Sequence, residues 1–157
     1  MNTIGTPDQI EVQLLSGSTV PKLATPGSAA YDFKSNVDIT LKPRTVTKVN
    51  INLALKIPDN FCLQLITRSG KALEAGLITV AGLIDPDYTR PVFALIYNSS
   101  DQAYRVTKGQ NITQGVFLPR VTVNWKHVDE LDIPLVDHRG FGSTDSSTMS
   151  QFLNQLQ

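Results

Sequence analysis

The stretch Ala81-Gly82-Leu83-Ile84-Asp85-Pro86-Asp87-Tyr88, followed by the apolar run Val92–Tyr97 and by Asn98, decides the fold class. The runs Leu77–Ala81 and Val92–Asn98 on either side are too short for helices and rich in β-branched and aromatic residues, which is the composition of strands. Between them, Asp85-Pro86-Asp87 supplies turn chemistry: proline presets the backbone for a turn and aspartate favours its ends. Strand, turn and strand make a hairpin. Turn chemistry alone does not account for Tyr88 at its tip.

The same pattern extends outward from Ile10 to Val123. Short apolar or alternating runs lie at Ile10–Leu15, Tyr31–Ser35, Val37–Leu41, Arg44–Asn50, Leu53–Lys56, Phe61–Thr67, Tyr104–Val106, Ile112–Pro119 and Val121–Trp125. Turn residues separate nearly all of them, as in Ser16-Gly17-Ser18, Pro58-Asp59-Asn60 and Lys108-Gly109-Gln110. Many short strands with regular punctuation predict an all-β barrel or jelly roll, with at most a helical turn near Lys71–Ala75. The end of the chain differs. Residues 137–157 are rich in Gly, Ser and Thr and close on Met149, Phe152, Leu153 and Leu156, spaced i, i+3, i+4 and i+7. That predicts a mobile arm and a short amphipathic helix after a β domain spanning 1–136.

At 157 residues, 41% hydrophobic, the chain has the length of one domain. Lys plus Arg and Asp plus Glu both number 14, so no general field draws it to nucleic acid or to an anionic membrane, and any phosphate binding must be local. Met1–Gln9 has neither a basic region nor an apolar run, and no window approaches the roughly 18 apolar residues of a membrane span. The expectation is a soluble intracellular protein, cytoplasmic or nuclear. The single cysteine, Cys62, excludes an intrachain disulfide, and its strand-like flanks suit a packed side chain. His127 and His138 lack ligand spacing, Trp125 reads as a packing or subunit-contact aromatic, and no P-loop, dinucleotide fingerprint or zinc spacing occurs.

Five stretches, in order, resemble the five motifs of the homotrimeric dUTPase family. Pro21 to Asp32 is similar to the first, in which the aspartate, here Asp32, helps hold a hydrated Mg2+ on the triphosphate. Arg68-Ser69-Gly70 resembles the second, whose serine contacts a phosphate near the bond that breaks; read alone, it is also a capping serine beside a surface arginine. The hairpin at 81–88 resembles the third, which cradles uracil. There the resemblance implies Gly82 and Ile84 in the cradle, Asp85 as general base for the attacking water, and Tyr88 against the deoxyribose. Lys108 to Gln114 resembles the fourth, with Gln114 on phosphate. Arg139-Gly140-Phe141-Gly142-Ser143-Thr144 resembles the fifth, a glycine-rich arm from a neighbouring subunit. In it Phe141 would stack on the base, while Arg139, Gly142, Ser143 and Thr144 would meet the phosphates.

The departures are specific. Thr67 stands where a proline often precedes the arginine, and Arg90 stands where glycine follows the tyrosine. Arg139 is two residues before Phe141, where the family spacing is five, which puts Val136 in the arginine register. Asp145 replaces a glycine and sets a carboxylate near triphosphate charge. The resemblance implies an all-β enzyme that hydrolyses dUTP to dUMP and pyrophosphate with Mg2+, its active sites shared between three subunits. The alternative is a dUTPase derivative acting through a protein partner, with the tail after the arm as the contact. A third reading, dCTP deaminase, shares the barrel but fits Asp85-Pro86-Asp87-Tyr88 less well.

Overall fold

The structure, a computed structural model, describes residues 9–132. The predicted arm and terminal helix lie outside them. Twelve strands and one helix follow in the order β1 Glu11–Leu14, β2 Lys22–Leu23, β3 Tyr31–Lys34, β4 Ile39–Leu41, β5 Val46–Asn50, β6 Leu53–Lys56, β7 Phe61–Ile66, α1 Ser69–Ala75, β8 Leu77–Thr79, β9 Leu83–Ile84, β10 Phe93–Asn98, β11 Tyr104–Val106 and β12 Asn111–Pro119. The all-β expectation holds. The strands do not close into one hydrogen-bonded barrel, however. They form four sheets, ordered β1-β6, β5-β10-β8, β11-β4 and β2-β3-β12-β7-β9.

The chain divides into two compact units, Met1–Thr122 and Val123–Gln157. Every strand and the helix belong to the first, and in the second the described residues 123–132 form neither. Val121–Trp125 is therefore not the strand that its alternation predicts. Alternation marks a segment able to lie on a pleated sheet, but a strand also needs a ladder partner, and none pairs here among the described residues. Val121, Val123 and Trp125 are all exposed. The two-residue strands β2 and β9 are too short to show a period and emerge only through their neighbours.

Each long strand turns alternate residues inward. In β7, Phe61, Leu63 and Leu65 are buried while Cys62, Gln64 and Ile66 are half-buried. These side chains join Phe33, Leu41, Val49, Leu53, Ile96 and Ile112 in one core cluster, each buried aliphatic contributing about 1.5–3 kcal/mol relative to exposure. Asn98 is the polar exception. Its Nδ2 donates to Leu41 O at 3.1 Å and Gln102 O at 2.8 Å, and its Oδ1 accepts from Ser100 N at 3.0 Å and Ser100 Oγ at 2.7 Å. All four bonds are internal, so a fully buried amide can be tolerated where the chain leaves β10.

One irregularity shapes the central sheet. Along β12 the pairing with β3 shifts register between Asn111 and Thr113: Asn111 faces Lys34, Thr113 faces Phe33 and Gln114 faces Asp32. Two consecutive residues, Ile112 and Thr113, are buried as a result. A β-bulge inserts one unpaired residue and reverses the alternation beyond it. Asn111 and Gln114, three apart, therefore share the outer face, which Asp32 and Lys34 also occupy. Among the described residues no helix is long and apolar enough to cross a membrane.

Candidate active site

Three neighbouring strands bring the first group of expected residues together. Register aligns Asp32 of β3 with Gln114 of β12, and Gln114 with Ile66 of β7, on the face away from the core. Two residues past Ile66, Arg68 has extended backbone at the N-cap of α1, and its guanidinium folds back over the row. Its Nε donates to Asp32 Oδ1 at 2.8 Å and its Nη2 to Asp32 Oδ2 at 3.2 Å. The arginine and aspartate side chains are 28% and 14% exposed, so this fork is shielded more than a surface ion pair. Gln114 Nε2 donates to Thr67 O at 3.0 Å.

Thr67, where a proline was the family expectation, ties the strand-to-helix turn together. Its Oγ1 accepts from Thr79 N at 2.8 Å, a bond that links the turn to β8. Thr113 Oγ1 donates to Ile66 O at 2.9 Å from the inner face. Ser69 and Gly70 open α1 and are exposed. The cap position belongs to Arg68 and has no side-chain cap bond, so the serine is not the capping residue of the plainer reading.

Sequence reasoning gave no role to Asn111, yet its Nδ2 donates to Asp32 Oδ2 at 3.0 Å. The amide orientation is fixed by its partner, since the reverse flip would set its oxygen against a carboxylate oxygen.

The second group lies elsewhere on the same chain. Ala81 and Gly82 both have positive φ, 57° and 103°, which swings the chain onto β7, where Leu65 N donates to Gly82 O at 2.8 Å. A Cβ on Gly82 would lie 2.9 Å from Leu65 Cβ and 3.0 Å from Leu65 O, so the approach requires glycine. Ile84 pairs with Leu63 and packs partly buried on the core. The turn closes with Tyr88 N donating to Asp85 O at 3.1 Å, and Tyr88 Oη donates across the tip to Pro91 O at 3.1 Å. Asp85, Tyr88 and Arg90 are exposed.

The antiparallel register carries this hairpin away from Arg68. Leu83 faces Gln64 and Ile84 faces Leu63, so Asp85 emerges level with Cys62, and Ile66 is then about 13 Å along β7, at about 3.3 Å per residue. Within one chain, Asp32, Arg68, Gln114 and Asn111 converge, whereas Asp85 and Tyr88 stand apart from them. Arg139, Phe141, Gly142, Ser143 and Thr144 lie outside the described residues, as do Asp145 and the tail.

Fold and site together define an all-β protein whose central sheet presents a carboxylate, guanidinium and amide cluster, with an aspartate and tyrosine hairpin at the sheet's edge. Residues 17–145 match the sequence profile of the family described as dUTPase. The chain belongs to the dUTPase family. A deoxyuridine 5'-triphosphate nucleotidohydrolase of Arabidopsis thaliana is 33% identical over 132 residues, spanning 84% of this chain and 80% of the relative. One from Helicobacter pylori (strain P12) is 31% identical over 142 residues, spanning 88% and 98%. Among solved structures, a dUTPase of Staphylococcus bacteriophage 80alpha with dUpNHpp superposes with a TM-score of 0.81 at 23% identity, over 88% of this chain and 99% of its own. That last likeness is one of fold.

Proposed function

We propose that this chain hydrolyses dUTP to dUMP and pyrophosphate. The observation that carries the reading is the convergence of Asp32, Arg68 and Gln114 from three separate motifs onto one face of the sheet. A water oxygen forms a bond to the α-phosphorus, the bond from that phosphorus to the oxygen bridging to the β-phosphate breaks, and pyrophosphate leaves. Asp85 takes the proton of the attacking water and orients its lone pair. Arg68, Ser69, the backbone at Gly70, Gln114 and Arg139 contact phosphate oxygens. Gly82 and Ile84 shape the uracil cradle, and Tyr88 packs on deoxyribose where a ribose 2'-hydroxyl would clash. Phe141 stacks on the base, and Gly142, Ser143 and Thr144 meet the γ-phosphate.

The donor set suits magnesium. Among the described residues no three Asp, Glu, His or Cys side chains gather, and the Arg68 cluster presents the single carboxylate of Asp32. Magnesium commonly binds in that way, keeping several waters and using one or two carboxylates together with substrate phosphates. Asp32 Oδ1 accepts one bond in the cluster and retains lone-pair capacity for a metal-bound water. When bound, Mg2+ gathers the triphosphate into one conformation and offsets its charge.

Because Asp85 and Arg68 stand apart on one chain, a complete site draws on neighbouring subunits, and the family resemblance supports a homotrimer. The outer face of the β5-β10-β8 sheet supports a subunit contact. Tyr97 is flanked there by Val46 and Ile78 in register, and both flanking side chains are exposed. The test is pyrophosphate release from dUTP, dCTP, dTTP and UTP with Mg2+, for the intact protein and for Asp85→Ala. Strong preference for dUTP, lost in the folded variant, is the expected result. A folded trimer that turns over none of the four would refute the assignment and move attention to a protein partner for residues 146–157.

A further inference from the structure

We propose that Asn111 is a positioning residue, set on the Asp32 face by the β12 bulge, that holds Asp32, and through it Arg68, in the geometry that receives the triphosphate. The inference rests on the dUTP-hydrolysing reading above.

Strict alternation from Gln114 would place Asn111 on the opposite face of the sheet. The register shift between Asn111 and Thr113 returns it to the Asp32 side. From there its Nδ2 reaches Asp32 Oδ2 at 3.0 Å, the oxygen that also accepts from Arg68 Nη2 at 3.2 Å. Three donated bonds from two directions thus fix the carboxylate. Arg68 approaches from the end of β7, Asn111 from the diagonal position on β12, and a carboxylate held on both sides cannot rotate about its terminal torsion. Arg68 in turn hangs on that carboxylate by both its Nε and Nη2, so an error in the Asp32 plane is transmitted to the guanidinium fork.

The rest of the Asn111 side chain has no comparable task. Its Oδ1 is buried and receives no donor among the described residues. Among the described residues, the bond to Asp32 is the one directed contact of the amide.

The experiment uses the full-length assembled protein. Wild-type turnover of dUTP is measured first, and its absence would sink the functional reading rather than this one. With the wild type active, Asn111→Ala should keep its melting temperature within a few degrees and lower kcat/KM for dUTP about tenfold or more, the scale expected on deleting a hydrogen bond to a charged group. Binding of a non-hydrolysable imido analogue of dUTP should weaken by a similar factor. Binding of dUMP, which has no β- or γ-phosphate, should change by no more than about twofold, because Asp32 and Arg68 serve the polyphosphate end.

The near-isosteric Asn111→Asp covers the case in which the alanine variant fails to fold. At neutral pH it sets a second carboxylate against Asp32, and its loss should exceed that of alanine. Unchanged analogue binding and turnover in Asn111→Ala would overturn the proposal. Equal weakening of dUMP and the analogue, or an Asn111→Asp variant that binds the analogue as tightly as wild type, would do the same by reducing Asn111 to a packing role.

Discussion

Replacing Gly82 with alanine tests whether the hairpin is held by backbone contact with β7. Two costs arise. A φ of 103° lies outside the range that L-residues adopt comfortably, and holding alanine there costs about 1–3 kcal/mol. The new Cβ also meets Leu65 Cβ at 2.9 Å and Leu65 O at 3.0 Å. The second of these is backbone in the central sheet and yields little, so overpacking adds about 1–3 kcal/mol. Together they give a middle figure of about 4 kcal/mol, which corresponds to a fall in melting temperature of about 8–16 °C for a chain of this size. Two control substitutions separate the costs. Gly109 has φ 84° with nothing within 4 Å of a built Cβ, so Gly109→Ala carries the backbone cost alone. Gly27 has neither positive φ nor a neighbour within 4 Å, and Gly27→Ala should be close to neutral. Calorimetric melting of the three variants at one fixed protein concentration should rank them Gly82, Gly109, Gly27. Because Leu65 N donates to Gly82 O, the Gly82 variant should also raise KM for dUTP by displacing Asp85 and Tyr88. A Gly82→Ala melting shift no larger than that of Gly109→Ala would show that β7 and β9 separate freely, and the argument for a glycine-dependent hairpin would fail.

Other outcomes follow from the same contacts. Arg68→Lys keeps the charge but cannot span both Asp32 oxygens, so kcat/KM for dUTP should fall at least about tenfold, equivalent to about 1.4 kcal/mol, while circular dichroism stays unchanged. Asn98→Leu removes four internal hydrogen bonds at a buried position and should lower unfolding free energy by about 2–4 kcal/mol in urea titration, without altering KM. Asp85→Ala should abolish turnover and leave both the melting temperature and the oligomeric state as they were, since its exposed side chain makes no packing contact worth preserving.

By itself the sequence determined the all-β class, the turn at 85–88 between the paired strands β8 and β10, the helical turn after Arg68 and the family, because strand alternation, turn residues and short motifs are local signals carried by adjacent positions. Nine of the expected site residues lie within the described chain, at Asp32, Arg68, Ser69, Gly70, Gly82, Ile84, Asp85, Tyr88 and Gln114. Only the tertiary structure decided how they divide. The Asp32–Arg68 fork joins residues 36 apart in sequence, and the separation of Asp85 from it follows from the β7-β9 register rather than from any motif. Val121–Trp125 carries a strand pattern yet finds no ladder, because pairing is a property of two segments and alternation of one. Asn111 makes the same point from the other side. Counting from Gln114 assigns it to the wrong face, and only the bulge, set by how β12 must pack Ile112 and Thr113 into the core while pairing with β3, turns its amide toward Asp32.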